Sequence, residues 1–360
     1  YTYDVIGRLT AAEFESDDPT LPSTSRLWTY DAAGNRLTER VDGVEVQSTY
    51  AAHNQLFEAG SWDVSTDAQG RMTKRVDTET GQSVIYAYDA TDRLVSLTTE
   101  AGQPHGFTYD ALGARRTGTL DGAPVRYGID HQGLSHVLSI RDMAGQVIQH
   151  CVHGRELEGM HSDAGARYFL TDLIGNVVKV LDGEGEVLND YLYTPFGHLL
   201  FASESVLNPF TYHGSHGVMK ESDDLFIMRA RAYAPSLGRF ITPDPLGLLS
   251  GDPNLYAFVG SQPTARVDPS GMLASKSSVN GHPVWDFIRN VWGDARRVWR
   301  TIDEAGKEVG VDAKDTFEKV VEISRETDTS KQAQGATSLA LGLAGNMTRL
   351  GGGSVTVVAE

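Results

Sequence analysis

Over roughly the first two hundred residues, apolar and polar positions alternate in short runs, and most runs end in the same punctuation. Tyr3-Asp4 leads to Gly7-Arg8-Leu9, Tyr30-Asp31 to Gly34-Asn35-Arg36-Leu37, Tyr88-Asp89 to Asp92-Arg93-Leu94, and Tyr109-Asp110 to Gly113. Weaker copies stand at Tyr50 and at Asp67-Ala68-Gln69-Gly70-Arg71-Met72. A period of two predicts strands. In the Asp-x-x-Gly that follows, the carboxylate binds its own backbone and glycine takes positive φ, which predicts the turn. Units of about twenty residues read as single β-hairpins, each too small to bury its apolar face without stacking on a neighbour. The expected fold is mainly β, a curved antiparallel sheet of stacked hairpins, followed by a small helical tail.

The tail is set apart by a change of period. Beyond Met272, after a Ser/Lys linker, Trp285, Ile288, Trp292, Ala295, Trp299 and Ile302 recur every three or four positions, which predicts a helix opening near Pro283. A second helix is expected from Ala313 to Arg325, with Phe317, Val320 and Val321 inward and Glu318, Lys319 and Glu322 outward. Val355-Thr356-Val357-Val358 reads as a strand without its partner. Gly351-Gly352-Gly353 lacks the Gly-Lys-Ser/Thr of a phosphate loop and reads as a turn.

Charge and composition narrow the function. The formal charge of -17, with scattered Lys and Arg, argues against a nucleic-acid binder, which needs a basic face. One cysteine, Cys151, excludes an internal disulfide framework and a multi-cysteine zinc site, and reads as a small core residue. No run of eighteen apolar residues or more is present to span a bilayer as a helix, and no signal-peptide pattern opens the chain. Because the chain starts inside a repeat, it is expected to be a fragment of a longer protein. His131, His136, His150, His153 and His161 are dense, yet their spacing fits neither a helical His-x-x-x-His nor a zinc ribbon. No cofactor is indicated.

Between repeats and tail lie two Asp-Pro-x-Gly boxes, Asp244-Pro245-Leu246-Gly247 and Asp268-Pro269-Ser270-Gly271, with Asn254-Leu255-Tyr256 between them. Each box reads as a turn, since Pro fixes φ, Asp starts an Asx-turn and Gly ends it. Two carboxylates at a composition boundary also suit peptide cleavage, in which one activates water while the other donates to the carbonyl oxygen.

The array resembles the YD repeats of Rhs-type and related polymorphic-toxin proteins over roughly residues 1 to 272. The later landmarks, Tyr168-Phe169-Leu170-Thr171-Asp172-Leu173-Ile174-Gly175-Asn176-Val177, Tyr193-Thr194-Pro195-Phe196-Gly197 and Arg229-Ala230-Arg231-Ala232-Tyr233, are similar to the Rhs-associated core. The resemblance implies a β-shell segment over 1–200, a core over 201–272 and a variable effector tail over 273–360. It implies that the shell encloses the tail, and that the core cuts its own chain at Met272-Leu273 with Asp244 and Asp268 as catalytic carboxylates and Arg239 as the basic residue before the first box. Two departures stand out: the spacer from Leu248 to Val267 is slightly long, with Ser250-Gly251-Asp252-Pro253 expected to bulge at the surface, and Met272 replaces the usual leucine. Its partners would be its own tail, a cognate immunity protein, and a chaperone or secretion component. Its place would be secreted or at the cell surface, delivered from a bacterial cell. The tail carries one histidine, His282, and no cysteine, so its effector activity stays unassigned. A non-cleaving adhesive repeat protein and a sugar-binding module using the repeat aromatics are the alternatives.

Overall fold

The computed structural model describes residues 1–99, 105–132 and 134–276. The expected tail helices and terminal strand lie outside the described residues. Among these residues the chain is almost entirely antiparallel β. An eleven-stranded sheet runs from Thr2–Tyr3 to His105–Gly106, and a ten-stranded sheet from Thr108–Tyr109 to Leu199–Glu204. Each strand pairs with its sequence neighbour, so both sheets are meanders. The ladder divides at Phe107, whose amide turns back to the Val95 carbonyl at 2.9 Å and whose ring lies 4.2 Å beneath the Arg115 guanidinium.

The repeat motif has a consistent physical meaning. In the first unit the Asp4 carboxylate accepts the Arg8 amide at 2.9 Å and Arg8 Nε at 2.6 Å, while the Gly7 amide closes the turn onto the Asp4 carbonyl at 3.0 Å. Arg8 then lies 4.9 Å over the ring of Tyr30, in the next unit, and the Tyr30 hydroxyl returns to the Leu9 carbonyl at 2.7 Å. The same set recurs for Asp67, Arg71 and Tyr88, and for Asp89, Arg93 and Tyr109. Each tyrosine thus ties its own repeat to the one before it. In the Asp89 unit the turn residue is Asp92 at φ +64°, a conformation that Asp tolerates better than most side chains.

A smaller sheet holds the two large ones. Its strands are β1 (Met219–Ser222), β2 (Leu225–Met228), β3 (Arg231–Ala234) and β4 (Arg239–Phe240), and β2 and β3 are buried at every position. Burial on both faces explains the unbroken apolar run Leu225-Phe226-Ile227-Met228. Leu225, Ile227, Ala232 and Ala234 pack on Leu56, Val64, Met72, Leu94 and Leu97 of the first sheet. Phe226, Met228 and Tyr233 pack on Leu9, Trp28, Phe196, Tyr212 and Phe258. Each large side chain so buried contributes roughly 1.5–3 kcal/mol. Ion pairs fix the arrangement, Arg75 to Asp224 and Arg115 to Glu221, the second with both side chains almost fully enclosed. Cys151 sits in the core of the second sheet with Val125, Tyr127, Met160 and Val180.

The last described elements are β5 (Arg266–Val267) and β6 (Ser275–Lys276), an antiparallel pair in which Val267 opposes Ser275. Residues 268–274 form the loop between them.

Candidate active site

The site is built on β3. Arg231, the first residue of that strand, is buried with its guanidinium 3.6 Å from the centre of the Phe240 ring. A cation without water needs carboxylates and carbonyls around it. Arg231 Nη2 meets Asp244 Oδ2 at 3.0 Å and Asp268 Oδ2 at 3.2 Å, so one nitrogen joins the two Asp-Pro boxes. Its other nitrogens donate to the carbonyls of Leu255, at 3.1 Å, and Gly271.

Each box is also a turn. Asp244 Oδ1 accepts the Leu246 amide at 2.8 Å, and the Gly247 amide returns to the Asp244 carbonyl at 2.9 Å. In the second box the Gly271 amide returns to the Asp268 carbonyl at 3.2 Å. Gly271 has φ +67°, and a Cβ there would lie 2.2 Å from the Met228 carbonyl oxygen, so the loop rests on the end of β2 through a position open to glycine alone. Arg229 braces the same loop by donating to the Pro269 carbonyl at 2.6 Å, and the Ala230 amide donates to the Ser270 carbonyl at 3.1 Å.

The loop aims Asp268 at the bond that follows. Asp268 Oδ1 accepts the Ser270 hydroxyl at 2.9 Å, the Met272 amide at 3.1 Å and the Leu273 amide at 3.1 Å. Ser270 Oγ lies 3.1 Å from the Met272 nitrogen and 3.3 Å from the Leu273 nitrogen. The Met272-Leu273 peptide is therefore held by its N–H against two oxygens. Met272 and Leu273 are both half-buried.

The two carboxylates differ in their surroundings. Burial raises the Asp244 carboxyl to about 6, with Asp268 adding to the rise, against the opposing pull of Arg231 and the Leu246 amide. Burial also pulls the Arg231 guanidinium down from its usual value, and the two aspartates counter it. Asp268 Oδ1, by contrast, accepts three donors, the Ser270 hydroxyl and the Met272 and Leu273 amides.

Arg239 lies elsewhere. Its guanidinium sits between the rings of Tyr50, at 5.1 Å, and Tyr256, at 4.6 Å, and donates to the Asn54 carbonyl at 2.6 Å. The cation that bridges the carboxylates is Arg231, one strand earlier. Its signal in the sequence was two arginines at alternate positions, Arg229 and Arg231, inside an otherwise apolar stretch, where burial obliges a search for counter-charges. Ser270, at the variable position of the second box, carries no such signal. The Asn254-Leu255-Tyr256 run is a tie to the first sheet, through Asn254 to Asn35 at 2.8 Å and the Tyr256 hydroxyl to the Gly70 carbonyl at 2.8 Å. In the longer spacer, Leu248, Leu249, Gly251 and Pro253 are exposed, while Asp252 is half-buried with its carboxyl raised by burial.

The five histidines are dispersed. His150 and His161 oppose each other on neighbouring strands, the rings of His136 and His153 are 4.9 Å apart, and His131 faces Asp110 at 3.1 Å. Among the described residues no three His, Cys, Asp or Glu side chains converge as a metal would require. No helix among them is long and apolar enough to cross a membrane.

Comparison with known proteins places the chain. A family model described as Teneurin YD-shell matches residues 1–261. The tRNA3(Ser)-specific nuclease WapA of Bacillus spizizenii is 29% identical over 259 residues, which is 68% of this chain and 11% of that protein. Toxin protein Tse5 of Pseudomonas aeruginosa is 24% identical over 340 residues, 76% of this chain and 25% of that protein. The chain thus spans a quarter or less of the length of these relatives. Among solved structures, the crystal structure of TcdB2-TccC3-TEV superposes with a TM-score of 0.57 at 17% identity, covering 76% of this chain and 15% of that one.

Proposed function

Since the chain belongs to the teneurin YD-shell family, we propose that it acts as part of an Rhs/YD-repeat polymorphic toxin, and that its core hydrolyses the Met272-Leu273 bond of its own chain and so frees an effector segment that begins at Leu273. The observation that carries this reading is the position of Asp268, whose Oδ1 lies 3.1 Å from the Leu273 nitrogen while its Oδ2 shares Arg231 with Asp244.

The two environments divide the work. Asp244, raised to about 6, keeps its proton to a higher pH than an ordinary carboxyl and acts as the acid toward the Met272 carbonyl oxygen. Asp268 acts as the base that takes a proton from the attacking water. The oxygen–carbon bond then forms as Asp244 gives its proton to the carbonyl oxygen, and Asp244 takes that proton back when the intermediate collapses. Arg231 holds the two acids at one nitrogen throughout. When the carbon–nitrogen bond breaks, the proton gathered at Asp268 goes to the Leu273 nitrogen, and the products are a Met272 carboxyl and a Leu273 amine.

The meander sheets would enclose the freed segment, which remains associated without a covalent link. Delivery would proceed from a bacterial cell with a chaperone or secretion component, and an immunity protein would protect the producer. A non-cleaving reading draws support from the turn bonds in both boxes, Gly247 to Asp244 and Gly271 to Asp268. The two readings part on intact mass measured under denaturing conditions. Self-cleavage expects two fragments joining at Met272-Leu273 in the parent chain and one intact chain in Asp244→Asn and Asp268→Asn. A parent that stays whole as the 360-residue chain, and again when extended upstream, leaves the boxes as turns only.

A further inference from the structure

We propose that Ser270 is a catalytic residue of this cleavage, the hydroxyl that hands the proton to the leaving nitrogen of Leu273; the inference rests on the self-cleavage reading above. Among the described residues two side-chain oxygens lie within hydrogen-bond reach of that nitrogen, Asp268 Oδ1 at 3.1 Å and Ser270 Oγ at 3.3 Å. They are not equivalent. Asp268 Oδ1 is an acceptor already committed to the Ser270 hydroxyl and to two backbone amides, whereas Ser270 Oγ carries a proton.

The direction of the proton supports a relay. While the peptide is planar, its N–H points at these oxygens and its nitrogen has no available lone pair. Attack by water on the Met272 carbonyl carbon makes the nitrogen pyramidal, and a lone pair then needs an O–H turned toward it. A hydroxyl can give one proton and accept another in the same motion. Ser270 Oγ is bonded to Asp268 at 2.9 Å, so the path from the carboxyl to the nitrogen is continuous. The step balances. Water supplies its oxygen to the carbon and one proton to Asp268, the carbon–nitrogen bond breaks, Ser270 gives its proton to the Leu273 nitrogen, and Asp268 returns the water's proton to Ser270 Oγ. Serine and both carboxyls end as they began.

The loop holds the hydroxyl in place for this. The Ser270 carbonyl accepts the Ala230 amide at 3.1 Å, Arg229 clamps the preceding Pro269 carbonyl, and Gly271 seats the turn on the Met228 carbonyl. The hydroxyl is thus fixed by backbone at either side.

The test uses the whole 360-residue chain made by pulsed cell-free synthesis, with the cut fraction followed through a chase. Parent, Ser270→Ala, Ser270→Thr and Asp268→Asn are run in parallel, in ordinary and heavy water. The expected result is cutting at Met272-Leu273 in the parent, a loss of about a hundredfold in rate for Ser270→Ala, recovery to within about tenfold for Ser270→Thr, and a smaller heavy-water slowing in Ser270→Ala than in the parent, a change that a purely structural role would not produce. A parent that cuts while Asp268→Asn does not, with Ser270→Ala as fast as the parent, overturns the role of Ser270 and leaves the cleavage reading standing. Equal slowing of Ser270→Ala and Ser270→Thr with the parent's isotope effect also overturns it. A parent that remains whole, as the 360-residue chain and again when extended upstream, overturns both.

Discussion

Arg231 and Asp268 are joined at both ends of one loop: Nη2 meets the carboxylate at 3.2 Å, and Nε donates to the carbonyl of Gly271 just before Met272. One buried guanidinium thereby sets the position of the Asp268 carboxylate and of the Gly271 carbonyl, in the peptide bond just before Met272-Leu273. The arrangement leaves little tolerance for change at residue 231.

Arg231→Met should abolish cutting and destabilise the fold by about 3–5 kcal/mol, because it strands two buried carboxylates. Arg231→Lys should also fail to cut, since a point charge cannot reach Asp244, Asp268, Leu255 and Gly271 together. Arg239→Met should lower stability through lost packing on Tyr50 and Tyr256, yet leave the pH dependence of cutting where it was. Urea midpoints and cut fractions for the three variants check these statements. An Arg239→Met chain with a displaced pH profile would contradict the placement of Arg239 outside the carboxylate group.

If Asp244 is the acid proposed above, cutting should slow as pH rises through about 6, where Asp244 loses its proton. Linkage has the same sign. A carboxyl whose folded value lies above its unfolded value favours the fold fully below the unfolded value, near 3.8, and that contribution is lost as pH rises through about 6. Asp244→Asn should therefore flatten the change in stability between pH 4 and 7, as read by urea midpoints at each pH. An unchanged slope would assign the dependence to another group.

Gly271→Ala should block cutting while leaving most of the β structure intact. A Cβ at that position meets the Met228 carbonyl and β2 cannot yield, so the loop must lift and draw Met272 and Leu273 away from Asp268. Mass and far-UV circular dichroism on one sample check this. Normal cutting by Gly271→Ala would show that the seat on β2 is dispensable.

Cys151 should resist maleimide at pH 8 until the chain unfolds, since burial both covers the thiol and raises it to about 12. Its labelling rate across a urea series then reports opening of the second sheet's core. Fast labelling in native buffer would mean that this core opens independently of the rest.

The repeats were legible because everything that defines them is local. Asp4 to Arg8 spans four residues, and the next tyrosine arrives one hairpin later, so spacing carries the information. The mainly β fold follows from it. The two boxes were legible as turns for the same reason. What stayed hidden is what distance in sequence conceals. Arg231 finds Asp268 across 37 residues, and Arg239 finds Asn54 across 185, so the apolar stretch around Arg231 says that it needs counter-charges but not which residues supply them. Ser270 lay in plain view at the variable position of its box. Its meaning depends on a loop conformation that brings its hydroxyl to the amides of Met272 and Leu273. The break at Phe107 had no local signal, since alternation continues through it.

The small sheet that is buried on both faces has a consequence in time. Arg231 opens β3, and the seat of Gly271 is the last carbonyl of β2, strands whose buried side chains pack on residues far away in the chain, from Leu9 and Leu56 to Phe196 and Phe258. That packing gives Asp244 and Asp268 their shared cation and seats the loop that carries Met272-Leu273. A severed chain would therefore be a certified one: the break would be a record, written in covalent structure, that folding had run to its end.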